Sequence, residues 1–139
     1  PRTDYAMGGA TDFVNGSVLY VNTDDSETRL TTCDLKTLQF YTNTSAGLYG
    51  TPTNFTQFNN TVQQMRYRSD GTWLAVRTDN ENLIYFMKNS SAIDHTVNVV
   101  STPKSLAWVY DDDMLAVGLA NGSIAVLQRI ASNNTFHVH

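Results

Sequence analysis

The chain has 139 residues with 9 Lys plus Arg against 13 Asp plus Glu, giving a net charge of −4 and a pI near 5.1. That length suits one domain with a real core. The scattered basic residues argue against a nucleic-acid partner, and no apolar run nears the ~18–20 residues of a membrane span.

Composition points to strands and turns. The sequence holds 18 Thr, 13 Asn and 10 Ser, and only 16% of it is charged. Thr packs well on a pleated surface because it is β-branched. Asn and Ser bond nearby backbone and favour turns. With almost no helical periodicity beside this, the expected class is all-β. The one cysteine, Cys33, excludes an internal disulfide and a Cys-based zinc site, and reads as a small buried hydrophobe. No signal peptide is visible and position 1 is Pro, so the chain is expected to be a mature product or a piece of something longer.

In chain order, a first unit over 1–45 divides into strands near 11–14, 17–22, 28–34 and 37–42. It has a turn at Asn15-Gly16 and an acidic hairpin at Asp24-Asp25-Ser26-Glu27. A long loop is expected over 46–60. A second unit, 58–101, gives strands near 62–67, 73–78, 82–87 and 93–100, with a turn at Asp70-Gly71. A third, 102–139, gives 104–109, 113–119, 123–129 and 134–139, with a turn at Asn121-Gly122. Asn-Gly and Asp-Gly tolerate positive φ and close tight hairpins.

Units two and three repeat at a shift of 41 residues without a gap. Met65 meets Leu106, Tyr67 meets Trp108, and Trp73-Leu74-Ala75-Val76 meets Met114-Leu115-Ala116-Val117. The same shift carries Leu83 to Ile124 and Tyr85 to Val126. A weaker copy at an offset of 55 sets Asn15-Gly16-Ser17-Val18-Leu19-Tyr20-Val21 against the run from Asp70 to Val76. A period near 40 with strand character marks propeller blades. Four apolar residues in succession, rather than an alternation, imply a strand covered on both faces.

This pattern resembles a WD-repeat-type β-propeller. Asp-Gly-x-x-Leu-Ala-Val and its flanking apolar strands carry the likeness in units two and three, with Asp112 at the Gly place of unit three. Unit one has Cys33-Asp34-Leu35-Lys36-Thr37 where the family has Trp-Asp and a short turn. Phe86-Met87 and Leu127-Gln128 stand at the Trp-Asp places of the other units, and the family's Gly-His pair is absent. The resemblance implies four-stranded antiparallel blades, about three of them, in which inner strands are covered on both sides.

Candidate sites are few. Asn-x-Ser/Thr occurs at Asn15, Asn43, Asn54, Asn59, Asn89, Asn121 and Asn133. Chance gives about three in this composition, and all seven fall in or beside expected turns and loops, where a glycan could stand in solvent. Turns are also rich in Asn, Ser and Thr for their own reasons. Ser69-Asp70-Gly71-Thr72-Trp73 is too compressed for a sialidase-type Asp-box. Asp111-Asp112-Asp113 lacks the alternating ligands and closing Glu of a calcium loop and reads as an acidic turn. His137 and His139 share a strand face but lack a local third ligand, with His95 in another unit. Tyr67, Trp73, Tyr85, Phe86 and Trp108 read as packing residues.

No phosphate loop, dinucleotide fingerprint, nucleophile elbow or zinc-protease helix occurs. No catalytic residue, cofactor or metal ligand can be named. The reading is therefore a non-enzymatic structural or interaction module. It would be an extracellular or cell-surface glycoprotein that assembles with further copies, or with the remaining blades of a longer parent, into a ring or filament. The alternatives are an intracellular WD-repeat-like scaffold for peptide partners and a fragment of a carbohydrate-active propeller enzyme. Three units leave two outer faces open and a terminal edge strand unpaired, so a lone monomer is not expected.

Overall fold

The computed structural model describes residues 18–23, 29–34, 36–42, 54–68, 72–88, 92–109 and 113–139; side chains are described within 36–40 and from 56 onward in those segments. The described residues form twelve strands and no helix. They are β1 (Val18–Thr23), β2 (Arg29–Asp34), β3 (Thr37–Thr42), β4 (Asn54–Gln57), β5 (Val62–Tyr67), β6 (Trp73–Thr78), β7 (Leu83–Lys88), β8 (Ile93–Asn98), β9 (Pro103–Val109), β10 (Met114–Leu119), β11 (Ile124–Ile130) and β12 (Thr135–Val138). Strands β1–β4, β5–β8 and β9–β12 make three four-stranded antiparallel sheets, each in simple sequence order. The all-β class and the blade-like repeat are thus as the sequence indicates.

Two details differ from the sequence reading. The first sheet begins at Val18–Thr23, and its fourth strand is Asn54–Gln57, inside the stretch expected to be loop. Val18–Val21 is therefore the first strand of its blade, equivalent to Val62–Tyr67. The offset of 55 had matched it to a second strand, because an Asn-Gly followed by apolar residues looks alike at either place. The strand expected at 11–14 lies outside the described residues.

The second difference is one of register. Leu74 pairs with Met87 and Ala75 with Phe86, while Leu115 pairs with Leu127 and Ala116 with Val126. With Leu74 equivalent to Leu115, Met87 falls on Leu127, a shift of 40 rather than 41. The turns explain the slip. The Leu119 amide donates to the Ser123 carbonyl at 2.9 Å and closes a three-residue loop with Gly122 at φ 90°. Four residues, 79–82, separate β6 from β7, with Asn80 at φ 58°. Slipping one residue turns a strand's side chains to the other face, so Phe86 corresponds to Val126.

The first strands of successive sheets approach one another, β1 against β5 and β5 against β9. This end of each blade is the one nearest the axis. The middle sheet is covered on both sides. Leu74, Val76 and Met87 pack with Leu38, Phe40, Phe58, Val62 and Met65 on the side of the first sheet. Trp73, Ala75, Ile84 and Phe86 pack with Leu106, Leu115, Val117, Leu127 and Phe136 of the third. Trp73 through Val76 are all buried, as four consecutive apolar residues require. In β10, where the third sheet has a neighbour on one side, burial alternates instead: Leu115, Val117 and Leu119 are buried, Met114, Ala116 and Gly118 half-buried.

Candidate functional site

The chemistry-bearing side chains that the fold brings together lie along the seam between the second and third sheets. Nearest the axis, β5 and β9 are edge strands, so their outward backbone groups need partners from elsewhere. Gln64 provides one: its Oε1 accepts from the Leu106 amide at 3.1 Å and from Arg77 Nε at 3.1 Å. Arg77 Nη1 donates to the Pro103 carbonyl at 3.3 Å. Trp108 Nε1 donates to the Arg66 carbonyl at 3.1 Å. These bonds hold the two inner strands side by side. The side chains of Arg66 and Lys104 remain exposed on this inner rim.

At one end of the seam, Asp113 gathers two guanidinium groups. Arg129 Nε lies 3.0 Å and Arg68 Nη1 3.5 Å from its Oδ1. Arg129 also donates to Asn134 Oδ1 at 3.2 Å. The hydrogen bond from Arg129, helped by the charges of Arg129 and Arg68, holds the Asp113 carboxyl below its ordinary value against the effect of burial. Asp113 is thus an ion-pair anchor between blades.

On the opposite face of the middle sheet, toward the first sheet, the Tyr85 hydroxyl donates to Glu81 Oε1 at 2.8 Å, and Thr78 Oγ1 donates to the same oxygen. Burial pushes the Tyr85 phenol up to about 12, reinforced by the bond to Glu81 and its negative charge. The Thr61 amide donates to Asp79 Oδ1 at 3.0 Å. Asp79 and Glu81 thus tie the β6–β7 turn to its surroundings.

On the outer side, His95 sits in an aromatic cluster. Its ring stacks on Phe86 with centroids 5.0 Å apart, and Phe86 stacks on Phe136 at 4.4 Å. Trp73 meets Phe136 edge-on at 5.2 Å. A hollow of about 300 Å³ with mixed polar and apolar walls lies against His95, Val97, Asn98, Thr135, Phe136 and His137. A second, apolar cleft of about 300 Å³ opens among Val99, Val100, Leu119, Ile124 and Val138.

The acceptor asparagines separate by position. Asn59, Asn121 and Asn133 are exposed in the links that follow β4, β10 and β11. Asn121 Oδ1 accepts from the Ser123 amide at 2.9 Å and hydroxyl at 2.6 Å, and Asn133 Oδ1 accepts from Thr135 Oγ1 at 2.8 Å. These contacts brace their turns. Asn54 begins β4, and its side chain lies outside the described residues, as do Asn15, Asn43 and Asn89 altogether. Asp24, Asp25, Glu27, Asp70, Asp111 and Asp112 also fall outside them, as does the Cys33 side chain. Among the described residues, no three His, Cys, Asp or Glu gather as metal ligands, and His137 engages Thr135 at 2.7 Å. Gln64, Arg77 and His95 carry the seam, yet nothing in their local sequence marks them: each acts across a gap of 13 residues or more.

No protein-family model and no curated relative matches the chain. Solved structures do. A periplasmic gluconolactonase of Pseudomonas aeruginosa superposes with a TM-score of 0.70 at 13% identity, over 89% of this chain and 39% of its own. A candidate 6-phosphogluconolactonase from Bacteroides uniformis gives 0.74 at 9%, again over 89% and 39%. The WD40 repeats of RRP9 give 0.70 at 16%, over 88% and 38%. The fold is therefore β-propeller-like, of WD type, and the chain spans about two fifths of the length of the structures it matches.

These likenesses correct the functional reading made from sequence. The non-enzymatic structural reading was inferred from a missing catalytic motif, and secretion as a glycoprotein from the acceptor asparagines. Propellers with lactonase names share this arrangement of sheets. A catalytic motif contiguous in sequence is not needed in a fold whose inner strands converge from different blades.

Proposed function

We propose that the chain forms part of a propeller that hydrolyses lactones of sugar acids, with the inner rim of β5 and β9 as its contribution to the site. One observation carries the reading: a three-sheet arrangement like that of the gluconolactonase, with Arg66 and Lys104 exposed on its innermost strands. In lactone hydrolysis, water adds to the carbonyl carbon, the ring oxygen leaves as a hydroxyl, and a carboxylate and a proton result. Cations beside the carbonyl favour the negative charge that develops on its oxygen and then hold the carboxylate. Arg66 is anchored for this role, because its carbonyl is fixed by Trp108 while its side chain is free to reach ligand.

The test is acid release from glucono-δ-lactone, followed with a pH indicator and corrected for spontaneous opening. The protein accelerates release, and Arg66→Ala with Lys104→Ala lowers the rate at least tenfold with the fold unchanged. A rate equal to the spontaneous one overturns the reading. We also propose an extracellular location, supported by exposure of the acceptors Asn59, Asn121 and Asn133; a mass shift of the natural protein on enzymatic deglycosylation tests it.

A further inference from the structure

The same apolar quartet meets two different surroundings. Trp73-Leu74-Ala75-Val76 is buried throughout, whereas in Met114-Leu115-Ala116-Val117 only Leu115 and Val117 are. The uncovered positions lie on one face of the third sheet. Strand pairing places Ala107, Val109, Met114, Ala116, Ile124 and Val126 together there. Trp73, Ala75, Ile84 and Phe86, which pack against the third sheet, have Met114, Ala116, Ile124 and Val126 as their repeat equivalents. So this face is chemically a blade–blade face. It holds no charged residue among these positions, yet Ile124 is 73% exposed.

We propose that a second copy of this chain docks on this face, so that two chains bring six sheets together around one axis. Three observations favour that occupant. The face continues an interface already formed inside the chain, where its equivalent receives a four-stranded sheet of the same kind. Its central positions are apolar, with Ser105, Gln128 and His137 beside them, which matches such a sheet better than a nucleic acid or a charged peptide. Six sheets fall within the about four to eight that close a propeller, whereas three do not. Two such matched segments would cover 78% of the gluconolactonase, from twice 39%. The inference does not rest on the lactone reading.

Sedimentation of the 139-residue chain over a range of concentrations tests it. The chain sediments at 31 kDa, twice 15.5 kDa. Ile124→Asp and Ala116→Asp each shift it at least tenfold toward monomer with an unchanged strand signal in circular dichroism. Ile93→Asp, on the outer strand of the middle sheet, leaves the dimer intact. A folded monomer at every concentration overturns the proposal, as would be expected if further blades of a longer parent cover the face. So does a dimer indifferent to Ile124→Asp and Ala116→Asp, or a polymer that grows without limit.

Discussion

His95 accepts a hydrogen bond from the backbone amide of Phe136 at 3.0 Å, a contact that runs from the outer strand of the middle sheet to the outer strand of the third. Because Nε2 is the acceptor, Nδ1 carries the proton and donates to Asp94 Oδ2 at 2.6 Å. The ring also stacks on Phe86, so one side chain provides both a polar and an aromatic tie across the seam.

Removing it strands a partly buried amide. His95→Ala is expected to cost about 1–3 kcal/mol, the range for an unsatisfied donor. Chemical denaturation reads the loss, and hydrogen exchange at the Phe136 amide accelerates with it. An unchanged midpoint together with unchanged exchange would mean that the tie is not formed.

Trp73→Ala and Leu115→Ala remove side chains at 1% and 0% exposure. Each is expected to cost roughly 3–5 kcal/mol through lost burial and a residual cavity. Near-native melting of either variant would show that the apolar quartets are surface features.

Gly122 stands at φ 90° with no atom within 4 Å of the place a Cβ would take. Gly122→Ala therefore meets no clash, only backbone strain, and costs about 1 kcal/mol. A neutral result in thermal melting would place the three-residue turn in another conformation.

Alkaline stability follows from Tyr85. Its pKa is raised in the folded state to about 12 from 10.0. The folded protein keeps a proton that the unfolded chain releases, so the stabilisation is complete below pH 10 and lost as pH rises toward about 12. Tyr85→Phe removes this part of the alkaline decline. If the two pH profiles superpose, Tyr85 is not held by Glu81 and burial. Asp113 acts in the opposite sense, its contribution present above the ordinary carboxylate range and lost as pH falls through its lowered folded pKa. Its exposure keeps that effect small.

Legibility followed the range of the interactions. The quartet at Trp73–Val76 announced a second strand buried on two faces, because such burial leaves a local mark; the same mark at Met114–Val117 announced a second strand of which only Leu115 and Val117 are buried. The hairpin register did not: Asn121-Gly122 signalled a turn, but not whether three or four residues would close it, and that choice decides whether Leu127 or Gln128 faces the core. The strand at Asn54–Gln57 was missed because it follows a long polar stretch and offers four residues with one aromatic. The seam residues Gln64, Arg77 and His95 were invisible, since their partners are fixed only when two sheets meet.

The packing of the middle sheet against the third is tested most directly by the environment of Trp73. Trp108 is half-buried, and Trp73 is the other tryptophan of the chain. Trp108→Phe therefore leaves Trp73 as the sole indole reporter. The predicted emission is blue-shifted and protected from acrylamide quenching until the protein unfolds. A red-shifted, freely quenched emission from the folded variant would contradict the packing of the second and third sheets around Trp73.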